Sequence, residues 1–310
     1  MTDRQVQGTG RWRRVSREAP CPICDRPDWC GVLGALGSPD LAVCMRIDTG
    51  ATRMARNGGW LHVLKHGGSP SRRRVATLRV GRSRLSDTLD SRIPQWQGVT
   101  PLLRLAEFAT RLGVAPAGLS ALGVSLVSRA ELRRLETECQ APDAWAFPMR
   151  DPAGGIVGVR LRSETGYKWS VRGSRQGLFI ADGVDISREP LVIAEGPTDT
   201  AALLGVGVAA IGRPSCLGAV AETIAFTRRH AINSTIVLSD GDEPGRRGAL
   251  VLARRLGAYC LDVRIAPPPR RFKDAREWVA SGVEATEVIQ TLSAAAQRIE
   301  VRTMAHGEQS

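Results

Sequence analysis

The sequence predicts an α/β protein: a parallel sheet with helices on both faces, preceded by a small mixed, basic subdomain and an N-terminal β ribbon. Three observations predict it. Four cysteines crowd into residues 21–44, bracketing two apolar stretches. Residues 145–180 read as short strands separated by glycine turns. From Glu189 onward, short apolar runs alternate with amphipathic stretches, the pattern of a parallel sheet covered on both faces.

The four crowded cysteines are Cys21, Cys24, Cys30 and Cys44. A disulfide framework would spread an even number of cysteines through a small chain; these are clustered at one end of 310 residues. The set reads as a metal site in a reducing cytosol, so a cytoplasmic location is expected. CPIC puts Cys21 and Cys24 on a tight turn where both thiolates can face one ion. Cys44 follows 20 residues after Cys24, a separation typical of a zinc ribbon. The apolar stretches Cys30–Leu36 and Leu41–Cys44 predict a hairpin turned at Gly37–Asp40. A structural zinc wants four tetrahedral ligands; Cys30 and His62 are both candidates for the fourth. One tightly bound zinc per chain is expected.

The next stretch, Gly67–Asp87, is polar, basic and broken by glycine and serine, and reads as a linker. Helical periodicity begins near Pro101, and a second amphipathic stretch covers Arg129–Cys139. WAFPMRD (Trp145–Asp151) and IVGVRLRS (Ile156–Ser163) then read as a strand pair turned at PAGG. Alternation in the second strand puts Arg160 and Arg162 on one face, Val159 and Leu161 on the other.

In the last third, PLVIAEG is a short buried strand ending at Glu195. PTDTAALLGVG opens a helix with proline in its first turn. STIVLSDGDEPG is a further strand ending at Asp240 and Asp242. Ligands of parallel sheets sit at the carboxyl ends of the strands, so Glu195, Asp240 and Asp242 are expected to converge. Asp199 lies one helical turn beyond Glu195, and Asp274 can join from a neighbouring loop. Converging carboxylates repel one another. A divalent cation resolves that repulsion, and oxygen-only ligands favour magnesium or manganese.

Charge and composition narrow the function classes. The net charge is +12, and residues 1–92 carry 17 basic against 8 acidic side chains. Such an excess suits an anionic polymer, because each cation on a phosphate backbone releases counterions. The longest apolar run, residues 201–212, is too short to span a bilayer. The first residues, MTDRQVQGTGRWRRV, lack the apolar core of a signal peptide. A membrane protein and a secreted protein are therefore poor readings, and no membrane partner is expected.

EGPTD (Glu195–Asp199) and SDGDEPGRRGA (Ser239–Ala249) resemble the two signature motifs of TOPRIM domains. The likeness is most specific to bacterial and phage DNA primases, through Asp240, Asp242, Gly245 and Arg246, and through Lys273-Asp274 before a short helix. Residues Trp145–Phe179 resemble the basic half of the primase catalytic core at Phe147, Pro148, Arg150, Asp151, Lys168 and Leu178-Phe179. The cysteine ribbon is the third matching part, in the order primases use. Two features depart: Ile47 stands where a second ribbon knuckle would carry a ligand, and Pro101–Cys139 matches nothing in the family.

The resemblance implies these parts: residues 1–66, a zinc ribbon that binds nucleic acid; 67–97, a basic linker; 98–187, the helical and strand basic subdomain; 188–283, a TOPRIM domain; 284–310, a C-terminal helix and tail. It implies synthesis of short RNA primers on single-stranded DNA from ribonucleoside triphosphates, with a separate replicative helicase as a further candidate partner. Glu195, Asp240 and Asp242 would hold magnesium or manganese, with Asp199 and Asp274 in an outer or second-metal set. Arg150, Arg160, Arg162 and Lys168 would hold template or triphosphate. Trp29 and Trp60 are candidates either to stack on bases or to fill the ribbon's core. Two other classes use the same parts: a non-catalytic zinc-ribbon/TOPRIM recombination mediator, and a TOPRIM nuclease with water as nucleophile.

Overall fold

The structure is a computed structural model that describes residues 12–28, 30–35, 38–47, 51–55, 60–64, 84–135, 143–183, 185 and 190–299. Residues 67–83 of the expected linker, Trp29, Cys139 and residues 300–310 lie outside the described residues. The chain divides into two compact units, Met1–Val80 and Gly81–Ser310.

The first unit is a five-stranded antiparallel sheet of β1 (Arg13–Arg14), β2 (Gly31–Ala35), β3 (Ser38–Cys44), β4 (Arg53–Met54) and β5 (Trp60–Val63). Its order is β1-β2-β3-β5-β4. The expected hairpin forms, but its turn is shorter than Gly37–Asp40. Ala35 already pairs with Ser38, so Ser38, Pro39 and Asp40 belong to β3. A bulge between Leu33 and Gly34 absorbs the shift. Gly34 has φ +110°, and a Cβ there would stand 2.7 Å from the Asp40 amide nitrogen, so glycine is required. Pro39 is tolerated because β5 begins pairing with β3 only at Leu41. The core of this unit is Val15, Val32 and Ala42 with Cys21, Cys30 and Cys44. That is too little apolar matter to hold so small a fold without a staple.

The second unit begins with a helix inside the expected linker. α1 (Arg84–Val99) buries Leu89, Ile93 and Trp96. Residues 84–97 are therefore part of the core, not a connector. After α2 (Leu102–Leu112) and α3 (Pro116–Ala121) comes a four-stranded antiparallel sheet, ordered β6-β7-β8-β9. Its strands are β6 (Ser125–Ser128), β7 (Asp143–Arg150), β8 (Ile156–Ser163) and β9 (Lys168–Ser170), with α4 (Arg129–Arg134) between β6 and β7. Ala144 and Ala146 of β7 pack with the α1 core, whereas Trp145, Phe147 and Met149 pack with Leu105, Phe108 and Leu112 of α2. Trp145 stacks on Phe108 at 4.2 Å between ring centroids.

The remaining elements alternate as the sequence predicts: β10 (Leu191–Glu195), α5 (Pro197–Gly205), β11 (Ala210–Arg213), α6 (Val220–Arg229), β12 (Ser234–Leu238), α7 (Glu243–Leu256), β13 (Asp262–Ala266), α8 (Ala275–Val279) and α9 (Ala285–Ala295). The sheet order is β11-β10-β12-β13-β14, parallel except for a short antiparallel edge strand, β14 (Gln297–Arg298). Val192, Ala194, Ile236 and Leu238 face the layer of α5, α8 and α9; Leu191, Ile193, Ile211 and Val237 face α6 and α7. Both faces are covered, which is why these strands read as continuous apolar runs.

The two sheets meet at consecutive residues. Leu178 forms a bridge to Arg150 of β7, and Phe179 forms one to Gly212 of β11. This joint sets the basic sheet beside the edge where the parallel strands end.

Candidate active site and metal centre

In the first unit, the ligand atoms of Cys21, Cys24, Cys30 and Cys44 all lie within 4.8 Å of one another. The Cys24 and Cys30 sulfurs are 3.7 Å apart. Tetrahedral zinc with bonds of about 2.3 Å separates its sulfurs by about 3.8 Å, so the donor set and its spacing fit zinc. Three backbone amides support the sulfurs: Met45 donates to Cys30, and Arg46 and Ile47 donate to Cys44. The Arg46 guanidinium also reaches Cys24 and Cys30, and is itself braced by Asp28. Burial pushes the Cys30 and Cys44 thiols up. At Cys24 burial acts in the same sense, but hydrogen bonds from the Arg26 backbone and the other cysteines outweigh it and hold this thiol down. Of the two candidates for the fourth ligand, Cys30 is in the cluster. His62 is not: its Nε2 lies 2.9 Å from the Ile47 carbonyl oxygen. Ile47 itself contributes its amide rather than a side-chain ligand.

In the second unit, the acids gather at one edge of the parallel sheet. Glu195 ends β10, Asp240 and Asp242 follow β12, and Asp274 precedes α8. Asp242 caps α7 by accepting from the Gly245 amide at 2.8 Å, and Asp274 caps α8 by accepting from the Glu277 amide at 2.8 Å. The Gly241 amide donates to the Lys273 carbonyl, tying these two loops together. Gly245 is needed here, because a Cβ would stand 2.8 Å from the Asp240 Cβ. Asp199, in the first turn of α5, is buried and accepts from the Arg276 amide at 3.0 Å.

These carboxylates feel one another. Burial, then the charges of Glu195, Asp274 and Asp242, pushes Asp240 up to about 7, with Lys273 opposing. Burial, with Asp274 and Asp240 beside it, pushes Asp199 up to about 7 against the Arg276 amide. Burial also raises Glu195, opposed by the charge of Arg213 and the Cys216 amide. An oxygen-only donor set under mutual repulsion fits a hard divalent cation. Among the described residues, the four cysteines are the one group of three or more His, Cys, Asp or Glu side chains close enough to hold an ion as they stand; the acids are not so gathered.

The cations stand on the basic sheet. Arg162 pairs in register with Lys168, and Arg160 with Ser170, so all three cations share the face of Trp145 and Phe147. Two like charges directly opposite across strands are unfavourable. Burial lowers both Arg162 and Lys168; Arg276 lowers Arg162 further and Arg162 lowers Lys168 further, with Asp199 opposing at the lysine. Among the described residues, no carboxylate lies within salt-bridge distance of either. Glu164, the nearest in sequence, is held instead by Arg104, Arg111 and the Trp145 indole. Arg160 donates to the Ser170 hydroxyl.

Arg150 is a departure. It lies at the far end of β7 from the Trp145–Arg162 pair, and its guanidinium is committed to Asp182 and the Gly154 carbonyl. It holds a turn rather than joining the other three cations. Sequence reasoning missed Arg276 and Arg213. Arg276 joins Asp199 by its amide, Asp274 at 3.6 Å by its guanidinium, and the Leu112 carbonyl at 3.1 Å. Arg213 ends β11 in register with Glu195 and is fully buried. The available signal was a charged residue closing an apolar run beside a strand that ends in a carboxylate.

No protein-family model and no curated protein matches this sequence. Solved structures do. The Escherichia coli primase catalytic core, a protein 17% identical, superposes with a TM-score of 0.52 over 69% of this chain and 80% of that one. A DnaG primase catalytic domain bound to single-stranded DNA, 16% identical, gives 0.53 over 69% and 79%. The zinc-binding and RNA polymerase domains of the Aquifex aeolicus primase, 15% identical, give 0.53 over 73% of this chain and 64% of that longer one. No helix among the described residues is long and apolar enough to cross a membrane. The chain thus has the fold of the primase catalytic core, with an antiparallel sheet and a four-cysteine cluster suited to zinc at its N-terminal end.

Proposed function

We propose that this chain is a DNA primase-type nucleotidyltransferase, which joins ribonucleoside triphosphates into short primers on single-stranded DNA. One observation carries the reading: the Arg162–Lys168 pair, held in register with no carboxylate partner among the described residues, stands beside Asp199 and the acidic sheet edge. Such an arrangement suits a triphosphate with its cation. The parallel sheet is read as a TOPRIM-type domain and the N-terminal sheet as a zinc ribbon that helps hold the DNA.

In this reading Glu195, Asp240 and Asp242 hold magnesium or manganese, which when bound neutralises charge on the phosphates and on the leaving pyrophosphate. Asp199 and Asp274 complete the acidic surround. Arg162 grips phosphate oxygens bidentately and Lys168 acts as a point charge, with Arg160 further along the same strand toward the template. Glu195, raised by burial, is suited to take the proton of the attacking 3′-hydroxyl.

The test is one incubation of the full chain with single-stranded DNA, magnesium or manganese, and labelled ribonucleotides. Short labelled oligomers that disappear in Asp240→Ala support primer synthesis. Cleavage of the template makes the protein a nuclease. DNA binding alone, unchanged in Asp240→Ala, makes it a mediator.

A further inference from the structure

Arg213 is among the largest fully buried side chains of the protein, and it is charged. A buried guanidinium is costly unless its donors are met. One donor is: Nη1 gives a 2.8 Å hydrogen bond to the Cys216 carbonyl. Nε has no hydrogen-bond partner among the described residues. No carboxylate lies within salt-bridge distance among the described residues; after burial, the charges acting most on the guanidinium are those of Glu195, then Cys216, then Asp240. A hydrophobic residue would suit the end of a buried strand better, so the arginine calls for a reason.

The surroundings supply one. The Arg213 carbonyl accepts from the Gly196 amide at 2.7 Å, fixing the residue that follows Glu195. Its guanidinium fixes the Cys216 carbonyl. Arg213 lies in register with Glu195 on the neighbouring strand, and the Cys216 backbone beside it counters the burial that raises the Glu195 carboxylate. The far side of the same turn is closed by α7, where a Cβ at Gly248 would stand 2.3 Å from the Cys216 oxygen. The Cys216 peptide is therefore clamped between Arg213 and the helix that Asp242 caps. It cannot tilt without disturbing one of them.

We propose that Arg213 is a positioning residue: it locks the Cys216 turn, and through that turn it aims and charge-balances the Glu195 carboxylate at the cation site. It touches neither substrate nor metal. The inference rests on the reading of Glu195, Asp240 and Asp242 as a divalent-cation site, and it adds a residue that acts only through Glu195.

The experiment is a double-mutant cycle on manganese binding to the full chain, following free Mn2+ by its paramagnetic resonance signal. Arg213→Met is expected to weaken binding at least tenfold in the otherwise native protein and less than twofold in the Glu195→Gln background. Arg213→Lys, which keeps the charge and loses the fork, is expected to weaken it about threefold, again only when Glu195 is present. If Arg213→Met does not fold, as judged by circular dichroism, the lysine variant carries the cycle. Equal losses in both backgrounds, or no loss in the native background, overturn the proposal. Should the native chain bind no Mn2+, or bind it equally well in Asp240→Asn, the cation site itself fails and the proposal falls with it. Native binding that is lost in Asp240→Asn but untouched by either Arg213 variant leaves the cation site standing and removes Arg213 alone.

Discussion

The two clusters of candidate ligands in this chain are opposites. The four thiols are closed in on themselves, within 4.8 Å of one another, in a unit whose core is little more than those same cysteines. The acids stand apart along the edge of a large sheet whose core is complete without them. A closed set of soft donors makes the metal part of the fold. An open set of hard donors on a finished scaffold leaves room for a substrate to share the ion. The difference teaches where instability is expected to be kept: in the ribbon, in the fold itself should its ion be removed; at the acidic edge, in the repulsion of side chains that the scaffold holds in place.

Removing zinc should give the largest effect and would break this comparison most directly. Chelation, or Cys24→Ser with Cys30→Ser, is expected to unfold residues 12–64 and leave the second unit's melting transition in place, since structural zinc contributes on the order of 10 kcal/mol to such modules. Hydrogen exchange would report it, and protection surviving in the ribbon would refute the assignment.

Next in size is Asp240→Asn. Primer synthesis is expected to fall about a thousandfold or more with circular dichroism unchanged, because charge stabilisation in the transition state is lost while the scaffold stays whole. A melting temperature that collapses in parallel would mean the acid is structural instead.

Lys168→Met should be milder. With the triphosphate held by Arg162 alone, KM for nucleotide is expected to rise about 10- to 100-fold with a smaller change in kcat. Steady-state kinetics separates the two, and a change confined to kcat would place Lys168 elsewhere in the reaction.

The smallest effect concerns the stored repulsion. Asp199 is raised to about 7 in the fold, against about 3.9 for an unperturbed aspartate. Between those values the folded chain binds more protons than the unfolded one, so stability falls as pH rises through this window and stays low above it. In metal-free protein, Asp199→Asn is therefore expected to change stability little at pH 4 and to raise it by about 1–3 kcal/mol at pH 8. Denaturant titration at both pH values checks it; a gain at pH 4 as large as at pH 8 would sever the link to charge.

What could be read in advance follows the same divide. β8 spans the residues that its pattern marks, Ile156–Ser163, but the period of two survives only over Arg160–Ser163, because Ile156–Val159 is buried on both faces. The acids could be placed because parallel strands end at one edge. α1 was hidden, although Leu89, Ile93 and Trp96 carry helical spacing, because Pro94 and the polar residues between them dilute the pattern. β14 is two residues long and exists only by pairing with β13. Arg213, Arg276 and the internal engagement of Arg150 depend on which distant carbonyl or carboxylate each guanidinium meets, and no local pattern records that. The fourth thiol is a similar case: Cys30 joins Cys24 only once β2 and β3 have paired.

Leu178 and Phe179 are neighbours in the chain, yet the first exchanges both its backbone hydrogen bonds with Arg150 and the second exchanges both with Gly212. Successive residues of extended chain turn their polar groups to opposite sides. A single added or deleted residue at this seam would invert that phase and detach one half from the other, whereas a pair would preserve it. Length variation there should come in even steps, and an engineered one-residue insertion should separate the cationic sheet from the acidic edge without melting either.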